Sequence, residues 1–416
     1  MQCLLWIFPI IAYIGAATPP PRNKSALLKT EFEWKYFDYL WESEEQKNEY
    51  ISKNLYKPEA MLPIDVDRSK DGRTFVSVVR APGVPASLHT ISDQIMNSGP
   101  LLVPYPNWST WKNPKECKGI TGVFRIAIDK CNRLWVLDTG KIDEEYICSA
   151  QLLVYDLSTD RLISKIPIPD SIARDKNKMG LLVTPIVETY GKNCSQTTVY
   201  VNDVIGHGLI IWNEDKFIRL ENDLFKPEEK YANFTIAGES FYLPDGIFNQ
   251  ILTPEKFFNG ERYLYFRPLA SRSLYSVPAK DLKLNGNSNS TRYSGYKDVL
   301  SSQATAMVFS SNGTLFYGLT EDIAIGCWNL NKTLKSENLG IPLIDKQRLQ
   351  FMSGLKIITN PKRFRQGLSH GKERLLMMTN RIQKFYRGTQ NSSEINYRVM
   401  SIGVRELVKD TVCDNV

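Results

Sequence analysis

The chain has 416 residues, 42% of them apolar, and its 52 basic and 45 acidic side chains give a formal net charge of +7. That apolar content excludes global disorder. The charges are scattered, without the Lys/Arg run or the aromatic-interleaved basic stripe of a nucleic-acid binder. The length admits two ordinary domains or one large all-β fold.

The first element in chain order is the apolar segment MQCLLWIFPIIAYIGAA, which reads as a secretory signal over residues 1–17, cleaved near Ala16 or Ala17. It is too short for a comfortable membrane span, and no later stretch is suited to span either. Residues 18–416 are then expected as a single secreted domain, with neither membrane nor nucleic acid as partner. Removal of the signal discards Cys3 and leaves Cys117, Cys131, Cys148, Cys194, Cys327 and Cys413. An even set in an oxidising compartment suggests three disulfides, although number alone leaves fifteen pairings open. Asn-x-Ser/Thr sequons at Asn23, Asn107, Asn193, Asn233, Asn289, Asn312, Asn331 and Asn391 predict a glycoprotein of the same route. Asn193 immediately precedes Cys194, so glycosylation and disulfide formation would compete there.

After the signal, Phe32–Tyr39 (FEWKYFDY) alternates aromatics in the manner of a strand, and Ser43–Asn54 reads as a short helix. Six segments then share one grammar of apolar strand, turn and second strand. They begin near Met61, Val123, Gly180, Asp245, Gln303 and Met352, at intervals of about 50–65 residues. The second is the sharpest: in Phe124–Gly140, FRIAIDKCNRLWVLDTG, a strand leads into a polar turn at Asp129–Asn132 and a second strand, Leu134–Leu137, closed by Asp138. Period two places Ile126 with Ile128, and Leu134 with Val136, on one face. Asp71-Gly72, Asn259-Gly260 and Asn312-Gly313 fall where hairpin turns need them. A more polar outer strand is expected after each hairpin, as at Gln151–Asp156 and Ala324–Asn329.

Six four-stranded sheets set radially make an all-β, six-bladed β-propeller, which leaves only short protected edges. Closure by N- and C-terminal strands follows if Phe32–Tyr39 completes the last blade with Asn396–Val404. A pair of β-sandwiches is the alternative use of the same strands. Arg405–Lys409 reads as a second short helix.

The three histidines, His89, His207 and His370, are not at metal-ligand spacing. No phosphate loop or HExxH motif occurs, and neither a catalytic residue nor a cofactor or metal is assigned. Asp138, Asn202, Asp203, Asp245, Glu321, Asp322 and Asn380 adjoin expected inner strands, where oxygen ligands could hold Ca²⁺ at a channel mouth. The plainer role for such residues is to cap backbone groups in turns. Trp111, Trp135, Trp212, Trp328, Tyr200, Tyr265, Phe316 and Tyr317 read as wedges between blades. A minority of them could line a channel and attract an ammonium group.

The segments FRIAIDKCNRLWVLDTG, LLVPYPNWS, VPASLHTIS and AIGCWN, with the ending Thr411-Val412-Cys413, resemble the major royal jelly protein/yellow family of insects. The similarity runs from about Phe32 to Cys413, and PYPNWS and GCWN look closer to the royal-jelly and venom-type members than to the cuticular yellow proteins. This resemblance implies a secreted, glycosylated six-bladed propeller without established catalytic residues. It also implies disulfides Cys131–Cys194 and Cys327–Cys413, which leaves Cys117 to pair with Cys148. A small ligand in the channel, amine or sterol, is implied in the same way. Ser353 and Asn380 fall at the polar contacts of amine-binding relatives, and Ile382 falls where those carry an aromatic ring. A homo-oligomer or a small partner peptide, and a nutritional, venom or developmental role, belong to the same expectation. The alternative is a dopachrome-converting isomerase of the yellow type, which needs an acid/base pair at the channel. The scarcity of histidine counts against it. A Ca²⁺-dependent hydrolase rests on analogy of fold alone.

Overall fold

Strands form where the period-two pattern runs uninterrupted between turn residues, and six such runs start the six sheets of the ring. The computed structural model describes residues 24–214, 216–284, 291–359 and 373–414. The expected signal segment, Asn23, Asn289 and His370 lie outside them.

Blade two shows how sequence makes a sheet. Val123–Ile128 and Arg133–Asp138 pair antiparallel, with Ile126 opposite Val136 and Ile128 opposite Leu134. Asp129 organises the turn: its carboxylate accepts from the backbone N of Cys131 at 2.9 Å and of Arg133 at 3.0 Å, and from Trp135 Nε1 at 2.9 Å. Asn132, at φ 62, takes the left-handed position that Asn tolerates. Gln151–Asp156 and Arg161–Pro167 complete the blade.

The inner strands of the other blades are Pro63–Arg68, Leu182–Tyr190, Ile247–Leu252, Ala304–Phe309 and Phe351–Thr359. Each packs against the next in order, and Phe351–Thr359 of blade six returns to Pro63–Arg68 of blade one. Gln151–Asp156 and Ala324–Asn329 are not the polar outer strands expected from sequence. They are third strands, buried almost throughout because each has a strand on both sides and a neighbouring blade against its faces. The true outer strands are Arg161–Pro167, mostly exposed, and Gly340–Ile344.

The ring closes in blade six, where Lys29–Trp34 lies outermost against Tyr397–Gly403, pairing Thr30 with Met400 and Trp34 with Tyr397. This strand sits a few residues earlier than expected. Phe37 and Tyr39 leave it to fill a buried aromatic cluster with Trp34, Tyr56 and Trp108, and burying large rings outweighs extending a short ladder. The expected first helix runs Glu44–Ser52, its start capped by Ser43, whose Oγ accepts from Gln46 N at 3.2 Å. The last helix is Val404–Val408.

Three disulfides staple the ring: Cys117–Cys148, Cys131–Cys194 and Cys327–Cys413. The second joins the turns of blades two and three. The third fastens the C-terminal tail to the third strand of blade five.

Candidate functional site

An inner strand has one unpaired edge, and its backbone groups need partners. In blade two those partners come from the side chains of its neighbours. Val123 N donates to Ser87 Oγ at 2.9 Å, Ile126 N to Asp65 at 3.1 Å and Ile128 N to Asp67 at 3.1 Å, while Ser77 Oγ donates to the carbonyl of Phe124. Lys356, from blade six, donates to the carbonyl of Ile126 at 2.7 Å and pairs with Asp65 at 3.1 Å. Asp67 lies 3.9 Å from the same ammonium, and burial pushes its pKa up to about 6 against that attraction. Three blades are therefore locked together beside the axis by one lysine and two aspartates.

The other end of the axis, where the inner strands begin, is apolar. Leu62, Val183, Phe248 and Met352 are buried there, with Val79, Phe124, Leu181 and Leu243 partly buried against them. Arg125 reaches from blade two to blade four, its guanidinium carbon 4.6 Å from the centre of the Phe248 ring. Its Nε and Nη2 have no hydrogen-bond partner among the described residues, and burial lowers its pKa to about 10.

Two elements cross this end as a roof. One is the hairpin Asn233–Ile236 and Glu239–Tyr242, inserted between blades three and four; the other is the helix Ile382–Arg387 of blade six. They meet through Phe241 and Tyr386, stacked at 5.3 Å and 10°, and through Lys384 and Glu239 at 3.1 Å. Asp245 lies at the foot of the hairpin and keeps some contact with solvent while protein rings it. No described residue pairs with its carboxylate, and desolvation alone pushes its pKa up to about 7. Desolvation of the phenol, aided by the Asp245 charge, raises the pKa of Tyr386, although about half of the residue is exposed.

Several expected mouth residues turn out to be structural. Asp138 accepts from the N–H groups of Thr121, Gly122 and Gly140 and from Gln151 Nε2 at 2.8 Å. Asp203 accepts from Leu181 N and Gly206 N and pairs with Arg219 at 2.9 Å. Asn202 bridges blades three and four. Glu321 pairs with Arg272 at 3.0 Å, and Asp322 accepts from Ser301 Oγ at 2.6 Å. Among the described residues no group of three or more His, Cys, Asp or Glu is placed to share a metal ion.

Ser353, Asn380 and Ile382 all belong to blade six, with relative exposures of 0%, 1% and 4%. Asn380 donates through Nδ2 to Pro63 O at 2.7 Å and leaves Oδ1 without a partner. Ser353 Oγ approaches Met378 O at 3.5 Å. Ile382 opens the roof helix and packs into the axial apolar cluster. Reading by motif missed Arg125, Asp65, Asp67 and Lys356. The available signal was charge inside otherwise apolar inner strands, PIDVDR and FMSGLKIIT. The sequon asparagines at 107, 193, 233, 312, 331 and 391 are exposed.

Six four-stranded sheets around a roofed, apolar axial end define a six-bladed β-propeller protein. A family model described as major royal jelly protein matches residues 121–413. Major royal jelly protein 9 of Apis mellifera is 39% identical over 418 residues, covering 99% of this chain and 96% of that protein. Major royal jelly protein 8 of the same species is 37% identical over 423 residues, covering 99% of each. The chain belongs to the major royal jelly protein family. Among solved structures, an α-L-arabinanase of Penicillium chrysogenum aligns with TM-score 0.48 at 10% identity, over 91% of this chain and 98% of that one. A virginiamycin B lyase of Staphylococcus aureus aligns with TM-score 0.42 at 8% identity, over 84% and 98%.

Proposed function

We propose that this chain is a secreted, glycosylated, non-enzymatic binding protein that takes a small amine with an apolar body at its roofed axial end. One observation carries the reading: Asp245 offers a carboxylate without a partner among the described residues, near enough to Tyr386 of the aromatic roof for its charge to act on that phenol. A cation pairing with Asp245 would relieve its desolvation, and Phe241 and Tyr386 suit the apolar remainder. The unpartnered Oδ1 of Asn380 supplies an acceptor, Ile382 a wall, and Ser353 a hydroxyl behind them. A neutral sterol would use the apolar walls but leave Asp245 unanswered.

Secretion is supported by three disulfides, which fit an oxidising compartment. No helix among the described residues is long and apolar enough to cross a membrane. Titration calorimetry with a panel of amines tests the reading; saturable binding that needs Asp245 supports it, and heats that never saturate refute it.

The same carboxylate favours one second reading. A group with pKa near 7 suits general acid/base work, as dopachrome isomerisation requires. Purified protein that tautomerises dopachrome, with the rate abolished by Asp245→Asn, would replace binding by catalysis.

A further inference from the structure

At the opposite end of the ring, a groove of about 560 Å³ opens between the turns of blades four and five, within the roughly 300–1,000 Å³ typical of ligand sites. It is lined by Lys256, Phe257, Phe258, Asn259, Asn312 and Asn331. Phe258 is 44% exposed and stands at φ 51, followed by Asn259 at φ 55. A bulky side chain in the left-handed region is strained, and here the strained turn carries an exposed aromatic ring braced by Tyr263 at 5.0 Å.

Both asparagines of the groove head sequons, Asn312-Gly313-Thr314 and Asn331-Lys332-Thr333. The turn of blade five sits directly on Phe257, since a Cβ on Gly313 would fall 2.3 Å from that ring. Lys256 Nζ donates to Asn312 Oδ1 at 2.9 Å, tying the two turns together.

We propose that this groove seats an N-linked glycan on Asn312, its first N-acetylglucosamine lying against Phe258. The apolar C–H face of the sugar matches an exposed aromatic ring, which gives that ring a partner. The proposal rests on the secretory reading above. In the transfer, the Asn312 amide nitrogen bonds to C1 of the oligosaccharide carried on a polyprenyl pyrophosphate. The bond from C1 to the pyrophosphate oxygen breaks, polyprenyl pyrophosphate leaves, and the amide proton passes to a base of the transferase. In the folded chain the buried Thr314 hydroxyl accepts from Asn329 Nδ2 at 3.0 Å, so transfer precedes closure of this hairpin.

The test is expression of the full chain through the secretory pathway of insect cells, with glycopeptide mass spectrometry after enzymatic deglycosylation in heavy-oxygen water. Label at Asn312 is expected, lost in Asn312→Gln. Melting is then compared before and after native deglycosylation, in wild type and in Phe258→Asn, which keeps a residue tolerant of positive φ. Deglycosylation should lower Tm by about 2 °C in wild type and leave Phe258→Asn unchanged. Secreted protein labelled at other sequons but not at Asn312 overturns the seat while sparing the secretory reading. Label at Asn312 with equal melting shifts in both proteins overturns the Phe258 contact. Retention in the cell without label at any sequon overturns both readings.

Discussion

Asn380 donates through Nδ2 to the carbonyl of Pro63 at 2.7 Å, so one side chain joins the last blade to the first. Asn202 makes the corresponding link from blade three to blade four, Nδ2 to Ile247 O at 2.6 Å, but its Oδ1 also accepts from Thr184 N at 2.8 Å. The amide oxygen of Asn380 has no hydrogen-bond partner among the described residues. Two asparagines with one structural duty thus differ in a single acceptor, at the roofed end of the ring.

The difference predicts an order of stabilities. Asn202→Ala orphans a buried donor and a buried acceptor and should cost about 2–4 kcal/mol; Asn380→Ala orphans one acceptor and should cost about 1–2 kcal/mol. Urea unfolding measures both. A larger loss for Asn380→Ala would show that its oxygen has a structural partner.

Lys356→Met should remove the shared counter-ion of Asp65 and Asp67 and cost about 2–3 kcal/mol at pH 8, since Asp65 is fully buried. The penalty should shrink at pH 5, because Asp67 titrates near pH 6 and its proton then replaces the lysine charge. Denaturant titrations at the two pH values check this, and a pH-independent penalty would contradict the ion-pair account.

Cys327 and Cys413 close a loop of 86 residues, Cys117 and Cys148 one of 31. Chain entropy then predicts losses of about 4–5 and about 3–4 kcal/mol for the paired Cys→Ser variants. Hydrogen exchange should separate them further, with the first variant exposing Val404–Val408 and the second leaving that helix protected.

Asp245 links stability to pH. Its folded pKa, about 7, lies above the unfolded value near 4, so the folded state holds the proton more tightly. Its stabilising contribution is complete below about pH 4 and is lost as pH rises through 7. Asp245→Asn should therefore melt several degrees above wild type at pH 8 and level with it at pH 4. Scanning calorimetry across that range decides it, and a gain at pH 4 instead would reverse the sign.

The repeat was legible because each hairpin carries its own period-two pattern and turn residues, as Ile126, Ile128, Leu134 and Val136 do around Asp129. The strand edges were less legible. Gln151–Asp156 looked polar at its ends, yet burial depends on neighbouring blades that no local window contains. The roof was invisible for the same reason, since Phe241 and Tyr386 lie far apart in sequence and meet only because the ring sets the helix of blade six across from the hairpin between blades three and four. Asp245 could be named as a mouth residue, but its lack of a partner is a property of the assembled mouth.

The most direct test of the central claim is titration calorimetry of amines into wild type and Asp245→Asn at pH 8, where Asp245 is ionised. Wild type should bind at least one amine saturably at one site per chain, and the variant should bind it at least tenfold more weakly, about 1.4 kcal/mol. Equal affinity in the two proteins would contradict the account.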